Sequence, residues 1–184
     1  EPVLQAPPAT RQTTANGVVG NDLMYNEQYN GRGTVVAVLD TGLNLNHEAF
    51  QYYSGMVNEV VTQRTVSSAN LQRNGKYISA KVPYAYDYAD NDTNVNDSNG
   101  HGTHVSGSAV GLAGSFEGSS FNATFIGAAP CAQLLSMKIF KDSGGGTSSD
   151  IYFYALEDAY TLGADVINMS IGAQNGFTYD KSLE

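Results

Sequence analysis

The chain has 184 residues and a net charge of −9, with 41% hydrophobic and 15% charged residues, a balance that suits one α/β or β-rich domain with a core rather than a disordered tail. An acidic surface argues against nucleic acid, whose phosphates call for Lys and Arg, and leaves room for bound cations and cationic peptides. No uninterrupted apolar run approaches the roughly 20 residues of a membrane span, and no basic-then-apolar start resembles a signal peptide.

In chain order, residues 1–16 (EPVLQAPPATRQTTAN) contain three prolines and little periodicity, and read as an arm lying over a surface. Glu1 in place of Met points to a processed or truncated start. A helix is expected near Asn21–Tyr29, from an Asn-Asp cap. Gly31-Arg32-Gly33 is a turn, and Thr34–Leu39 (TVVAVL) is a β-branched run fit for a buried strand. Residues 44–80 mix polar and apolar segments and read as loops and edge strands. Residues 87–100 (DYADNDTNVNDSNG) are rich in Asx, Gly, Ser and Thr, hence a loop.

Small residues over Gly102–Leu112 predict a helix able to pack closely on a sheet, and Phe116–Thr124 reads as an exposed insertion or hairpin. Cys131 is the only cysteine, so no disulfide forms within the chain, and it reads as a small buried residue rather than a nucleophile. Leu134–Phe140 (LLSMKIF) is a second buried strand and Asp142–Ser149 (DSGGGTSS) a flexible turn. Asp150–Leu162 carries apolar residues at helical spacing, with Gly163 as its cap, and Asp165–Ile171 (DVINMSI) is a third strand.

Strands alternating with helices predict parallel βαβ units with right-handed crossovers: an α/β, three-layer fold with a mostly parallel central sheet flanked by helices. Ligands in such sheets collect at the carboxyl ends of the strands. Asp40 sits at one such end, and Ser170, Ile171 and Gly172 at another.

Taken alone, Asp40 reads as an Asx turn or a helix cap as well as a functional carboxylate, since an acid ending a buried strand is poorly hydrated and needs a partner. His101, between Gly100 and Gly102, stands where backbone can approach other groups closely. His104, one helical turn on, could face the same side, so a metal site with Asp40 and His101 is conceivable, although a structural role suits it better. Asp87, Asp90, Asp92, Asn94 and Asp97 are hard oxygen ligands that invite a calcium reading, without the glycine and terminal Glu of an EF-hand.

Three blocks in order, Val38-Leu39-Asp40-Thr41-Gly42, His101-Gly102-Thr103-His104-Val105-Ser106-Gly107 and Val166-Ile167-Asn168-Met169-Ser170-Ile171-Gly172, resemble the subtilisin-like serine proteases. Ile126-Gly127-Ala128-Ala129-Pro130 is similar to the segment that leads into the strand before that family's substrate loop. The resemblance covers residues 20–175, and the wording around Tyr84–Asp92 looks most like the Gram-positive cell-envelope proteinases (lactocepin and C5a-peptidase types).

The resemblance implies a serine endopeptidase in which Asp40 is the acid of a Ser-His-Asp triad and His101 the general base. A serine hydroxyl is a weak nucleophile, and the imidazole must take its proton and later give it to the leaving amine. The buried carboxylate fixes the imidazole tautomer and stabilises the imidazolium. The first His of the motif would be catalytic and His104 structural. Gly144, Gly145 and Gly146, after Ser143, would pair through their backbone with an extended substrate. Ser170, Ile171 and Gly172 would form the opposite wall, and Asp97 lies where relatives often carry an acid near that pocket; plain turn and solvated-loop readings stay open for both segments. No metal is expected at the catalytic residues and no cofactor is needed for the chemistry, with structural calcium left open.

The family's oxyanion Asn and its Gly-Thr-Ser-Met-type segment do not occur in these 184 residues, and Ser106, Ser170 and Ser182 lie in the wrong contexts. The expectation is therefore the N-terminal portion of a catalytic domain, inactive alone and with its fold incomplete, joined to a complementary chain that carries the nucleophilic Ser. It would act on peptide or protein substrates and be secreted or attached to the cell surface. The alternative is a pseudoprotease that keeps a peptide-binding cleft without chemistry.

Overall fold

The computed structural model describes residues 20, 24, 29–117, 120–144 and 146–172. The helix expected near Asn21–Tyr29, the 1–16 arm and Ser182 lie wholly or mostly outside them. Four strands form one parallel sheet in the order β2 (Tyr84–Asp87), β5 (Gln133–Lys138), β1 (Val35–Asp40), β6 (Val166–Asn168). The other two, β3 (Leu112–Glu117) and β4 (Ser120–Ile126), pair as an antiparallel hairpin.

Alternation along β1 builds the layers. Val35, Ala37 and Leu39 face one core with Leu135, Met137 and Tyr84, covered by Ala155 and Ala159 of α3 (Ser149–Thr161), by its C-cap Leu162 and by Val66 of α1 (Gln63–Ser68). Val36 and Val38 face the other core with Leu134, Leu43 and Phe50, covered by Val110 of α2 (His101–Val110). The sheet thus lies between helices, because β1 is β-branched on both faces and buried on both.

Two buried polar groups lock loops onto this frame. Asp158 of α3 accepts the amides of Gln72 and Arg73 at 2.5 and 3.0 Å and the Tyr88 hydroxyl at 2.8 Å. Lys81 donates to the carbonyls of Val110, Pro130 and Ala132 at 2.7, 2.8 and 2.7 Å, tying the end of α2 to the lead-in of β5. Burial pushes its ammonium down to about 7. Cys131 is fully buried, and burial pushes its thiol up, as fits a packing residue.

Several expectations are corrected. Among the described residues, 44–80 hold a 3-10 turn (Glu48–Phe50) and α1 with its Thr62–Thr65 capping box, and pair with β2 through an isolated Lys76–Ala85 bridge. Strand β2 went unread because its Tyr-Ala-Tyr-Asp, buried throughout, alternates neither by polarity nor by β-branching. Phe116 is buried rather than exposed, packed beside Phe121. β6 is three residues long where seven were expected, its pairing limited to Val36, Ala37 and Val38 of β1. Gly163, at φ +77, does end α3 as expected.

Candidate active site

Asp40 closes β1 and is 1% exposed, while His101 opens α2 with its side chain 30% exposed. The His101 Nδ1 lies 2.7 Å from Asp40 Oδ1. An ionised carboxylate only accepts, so the proton of this bond belongs on Nδ1, which leaves Nε2 as the basic nitrogen. Asp40 Oδ1 also accepts the Thr41 amide at 2.7 Å, and Oδ2 is buried with no hydrogen-bond donor among the described residues.

The approach of these elements depends on two glycines. Gly42, at φ +127, turns the chain off β1, and a Cβ there would come within 2.5 Å of the Val95 carbonyl. A Cβ on Gly102 would meet the Gly42 amide nitrogen at 2.9 Å and its carbonyl oxygen closer still. Helix and turn touch backbone to backbone, and that brings the imidazole to the carboxylate.

Thr41 and Asp97 fasten the arrangement. Thr41 Oγ1 donates to Asp97 Oδ1 at 2.9 Å and accepts the Gly102 amide at 2.9 Å. The N-cap residue Gly100 has no side chain to cap α2, and Asp97 does it instead, accepting from the Gly100 amide at 2.9 Å and from the Thr103 amide and hydroxyl at 2.8 and 2.6 Å. Burial pushes the Asp97 carboxyl up, but the donors from Thr103, Gly100 and Thr41 outweigh it and hold it below the usual carboxylate value. Asp97 thus clamps the start of the helix that carries His101, and Thr41 is a site residue that sequence reasoning passed over. The only signal for it was its place beside Asp40.

A cavity of about 640 Å³ opens on His101 and is lined by Thr41, Asn99, Phe140, Gly144, Ser170 and Gly172 among others. It gathers one glycine of the expected substrate loop and two residues of the opposite wall around the imidazole. Ile171 instead packs against the α3 core, Gly146 is exposed and does not line the cavity, and Gly145 lies outside the described residues. Ser170 donates its hydroxyl to Asn168 Oδ1 at 2.9 Å, and Ser106 is buried. His104 is exposed and lines a different cavity, of about 350 Å³, with His47 and Phe125. It is neither a buried structural histidine nor gathered with Asp40 and His101.

The acidic loop divides. Asp92 and Asn94 accept the amides of Asn94 and Asn96 as Asx turns, and Asp97 is spent on the helix start. Asp87 and Asp90 come together with Asp142, their carboxylate oxygens within 4.8 Å of one another. The Lys138 ammonium sits among these acids, 2.9 Å from Asp87 Oδ2 and in contact with Asp142 Oδ1. Of the five residues that invited a calcium reading, only Asp87 and Asp90 are brought together, and Asp87 is paired with a lysine.

A family model described as the subtilase family matches residues 31–183. The PII-type proteinase of Lacticaseibacillus paracasei is 36% identical over 156 residues, which are 82% of this chain and 8% of that protein. A C5a peptidase of Streptococcus pyogenes is 37% identical over 145 residues, 77% of this chain and 12% of that protein. A solved psychrophilic protease superposes with a TM-score of 0.52 at 28% identity, covering 80% of this chain and 40% of its own. The chain therefore spans a small part of the curated relatives it matches.

Proposed function

Because the chain belongs to the subtilase family, we propose that it is the Asp- and His-bearing part of a serine endopeptidase. The observation that supports this best is the 2.7 Å bond between His101 Nδ1 and Asp40 Oδ1 at the edge of a cavity lined by Gly144, Ser170 and Gly172. With its Nδ1–H donating to Asp40, His101 takes the proton of a serine hydroxyl at Nε2 as the oxygen attacks a peptide carbonyl, then gives it to the departing amine. Water repeats the cycle to release the acyl group. No cofactor enters this chemistry.

In this reading the serine, an oxyanion donor and further strands come from a complementary segment, and the 184 residues are inactive without it. Val166 and Ile167 of β6, 52% and 40% exposed, suit a sheet that continues beyond β6. The substrate is an extended peptide, pairing by backbone beside Gly144, and the protein works outside the cell, free or surface-attached. No helix among the described residues is long and apolar enough to cross a membrane.

The test is a fluorophosphonate applied to the whole protein, followed by digestion and mass analysis. An adduct on a serine in a Gly-Thr-Ser-Met-type segment, lost in His101→Ala, is expected. A folded whole protein that takes no adduct would replace this reading with a peptide-binding protein that performs no chemistry.

A further inference from the structure

The carboxyl ends of three neighbouring strands carry charge in one row: Asp87 of β2 pairs in register with Lys138 of β5, which pairs in register with Asp40 of β1. Lys138 is 1% exposed and Asp87 fully buried, so each would be an unpaired buried charge without the other. Asp87 Oδ2 holds the ammonium at 2.9 Å, while its Oδ1 accepts the amides of Ala89 and Asp90 at 2.9 Å each. The ammonium also reaches out to Asp142, whose side chain is 47% exposed. Asp142 is held a second time, its amide donating to Asp90 Oδ2 at 2.9 Å.

Asp142 stands two residues before Gly144, and Lys138, Phe140, Lys141, Asp142 and Gly144 all line the cavity that opens on His101. We propose that Lys138 is the positioning residue of this cleft wall, a built-in cation that ties the base of the substrate segment to the sheet in the place where a divalent ion would otherwise gather Asp87, Asp90 and Asp142. The proposal rests on the endopeptidase reading. It accounts for the three carboxylates within 4.8 Å of one another: Asp87 and Asp142 converge on an ammonium, and Asp90 holds Asp142 through its amide. A covalent cation holds the wall at any calcium concentration, whereas an ion-held wall would loosen in chelator.

The experiment uses the whole protease and an extended peptide substrate. In Asp142→Asn the buried Lys138–Asp87 pair stays intact, so folding is preserved; KM should rise about ten-fold with kcat within about two-fold, because the loss falls on substrate binding rather than on the reacting groups. Lys138→Met leaves Asp87 and Asp142 without their cation beside Asp90, and millimolar CaCl2 should lower its raised KM and raise its Tm. Wild type and the double variant Lys138→Met/Asp90→Asn should show neither response. An unchanged KM in Asp142→Asn, or a Lys138→Met variant indifferent to calcium, would overturn the proposal. These results are separable from the fate of the endopeptidase reading, which fails only if the wild type itself shows no turnover abolished by His101→Ala.

Discussion

Gly102 sits against Gly42 with no room for a single methyl group between them, since a Cβ on Gly102 would lie 2.9 Å from the Gly42 nitrogen and 3.1 Å from that of Thr41. The obstruction is backbone, so it yields only if the helix backs away from the turn. Asp40 and His101 ride on those two elements, one residue from each glycine or its neighbour, and their 2.7 Å bond follows the same displacement. Gly102→Ala in the whole protease should therefore lower kcat by about 100-fold, the scale of a misplacement near 1 Å. KM should move little, and fluorophosphonate labelling should slow in parallel.

Replacing Asp40 by Asn keeps the shape and removes the charge. The amide can present a donor to His101 Nδ1, which favours the tautomer with its proton on Nε2, where a base is needed. A fall of about 10⁴ in kcat is expected, on the scale measured for this change in other serine triads. Steady-state kinetics on a peptide substrate would measure it. A fall below ten-fold would mean that Asp40 is not the orienting acid.

Asp97 should mark the acid limb of stability. Its carboxyl lies below the usual value because donors from Thr103, Gly100 and Thr41 favour the ionised form against its burial. A depressed folded value contributes stability that is present above the unfolded value near pH 4 and lost as pH falls through the folded one. Asp97→Asn should lower Tm at pH 7 by an amount matching about 1–2 kcal/mol. The difference from wild type should shrink steadily below pH 4. Thermal melts from pH 2.5 to 7 would check it, and a constant difference across that range would show that charge plays no part.

What could be read from residues alone divides by range of interaction. The strand ending in Asp40 and the helix opening at His101 were legible because each is local: a β-branched run, or a string of small residues between glycines. The pair itself was legible only through resemblance, since nothing local joins two residues 61 positions apart. Asp97 was noticed for its charge but not for its capping role, because its partners Thr41 and Thr103 come from the far side of a turn and from within a helix. Lys138 was read as one more letter of a buried strand. Its meaning depends on Asp87 and Asp142 meeting it across the sheet end, and pairing register is written in no single segment. The acids of that loop were legible as a group, but the cation beside Asp87 was not, for the same reason.

Lys81 provides the last prediction, and it has the same sign as Asp97 in an alkaline window instead of an acid one. Its ammonium is completely buried, and burial brings it down to about 7 from the ordinary lysine value of 10.5. Between those two values the unfolded chain binds more proton than the folded one, so this site makes stability rise with pH from about 7 to about 10.5. Below that window the site adds no further slope. The side chain is nevertheless the donor to three carbonyls, that of Val110 at the end of the His101 helix among them. Lys81→Met should thus do two things at once. It should lower Tm at every pH, because buried carbonyls among those of Val110, Pro130 and Ala132 lose a donor, at about 1–3 kcal/mol for each one left unsatisfied. It should also flatten the alkaline rise, so that the gap between wild type and variant widens from pH 7 to pH 10. Melts of both proteins across that range decide the matter: a gap that stays constant or narrows toward alkaline pH would mean the ammonium stays charged in the fold, held by its three carbonyls against the pull of burial.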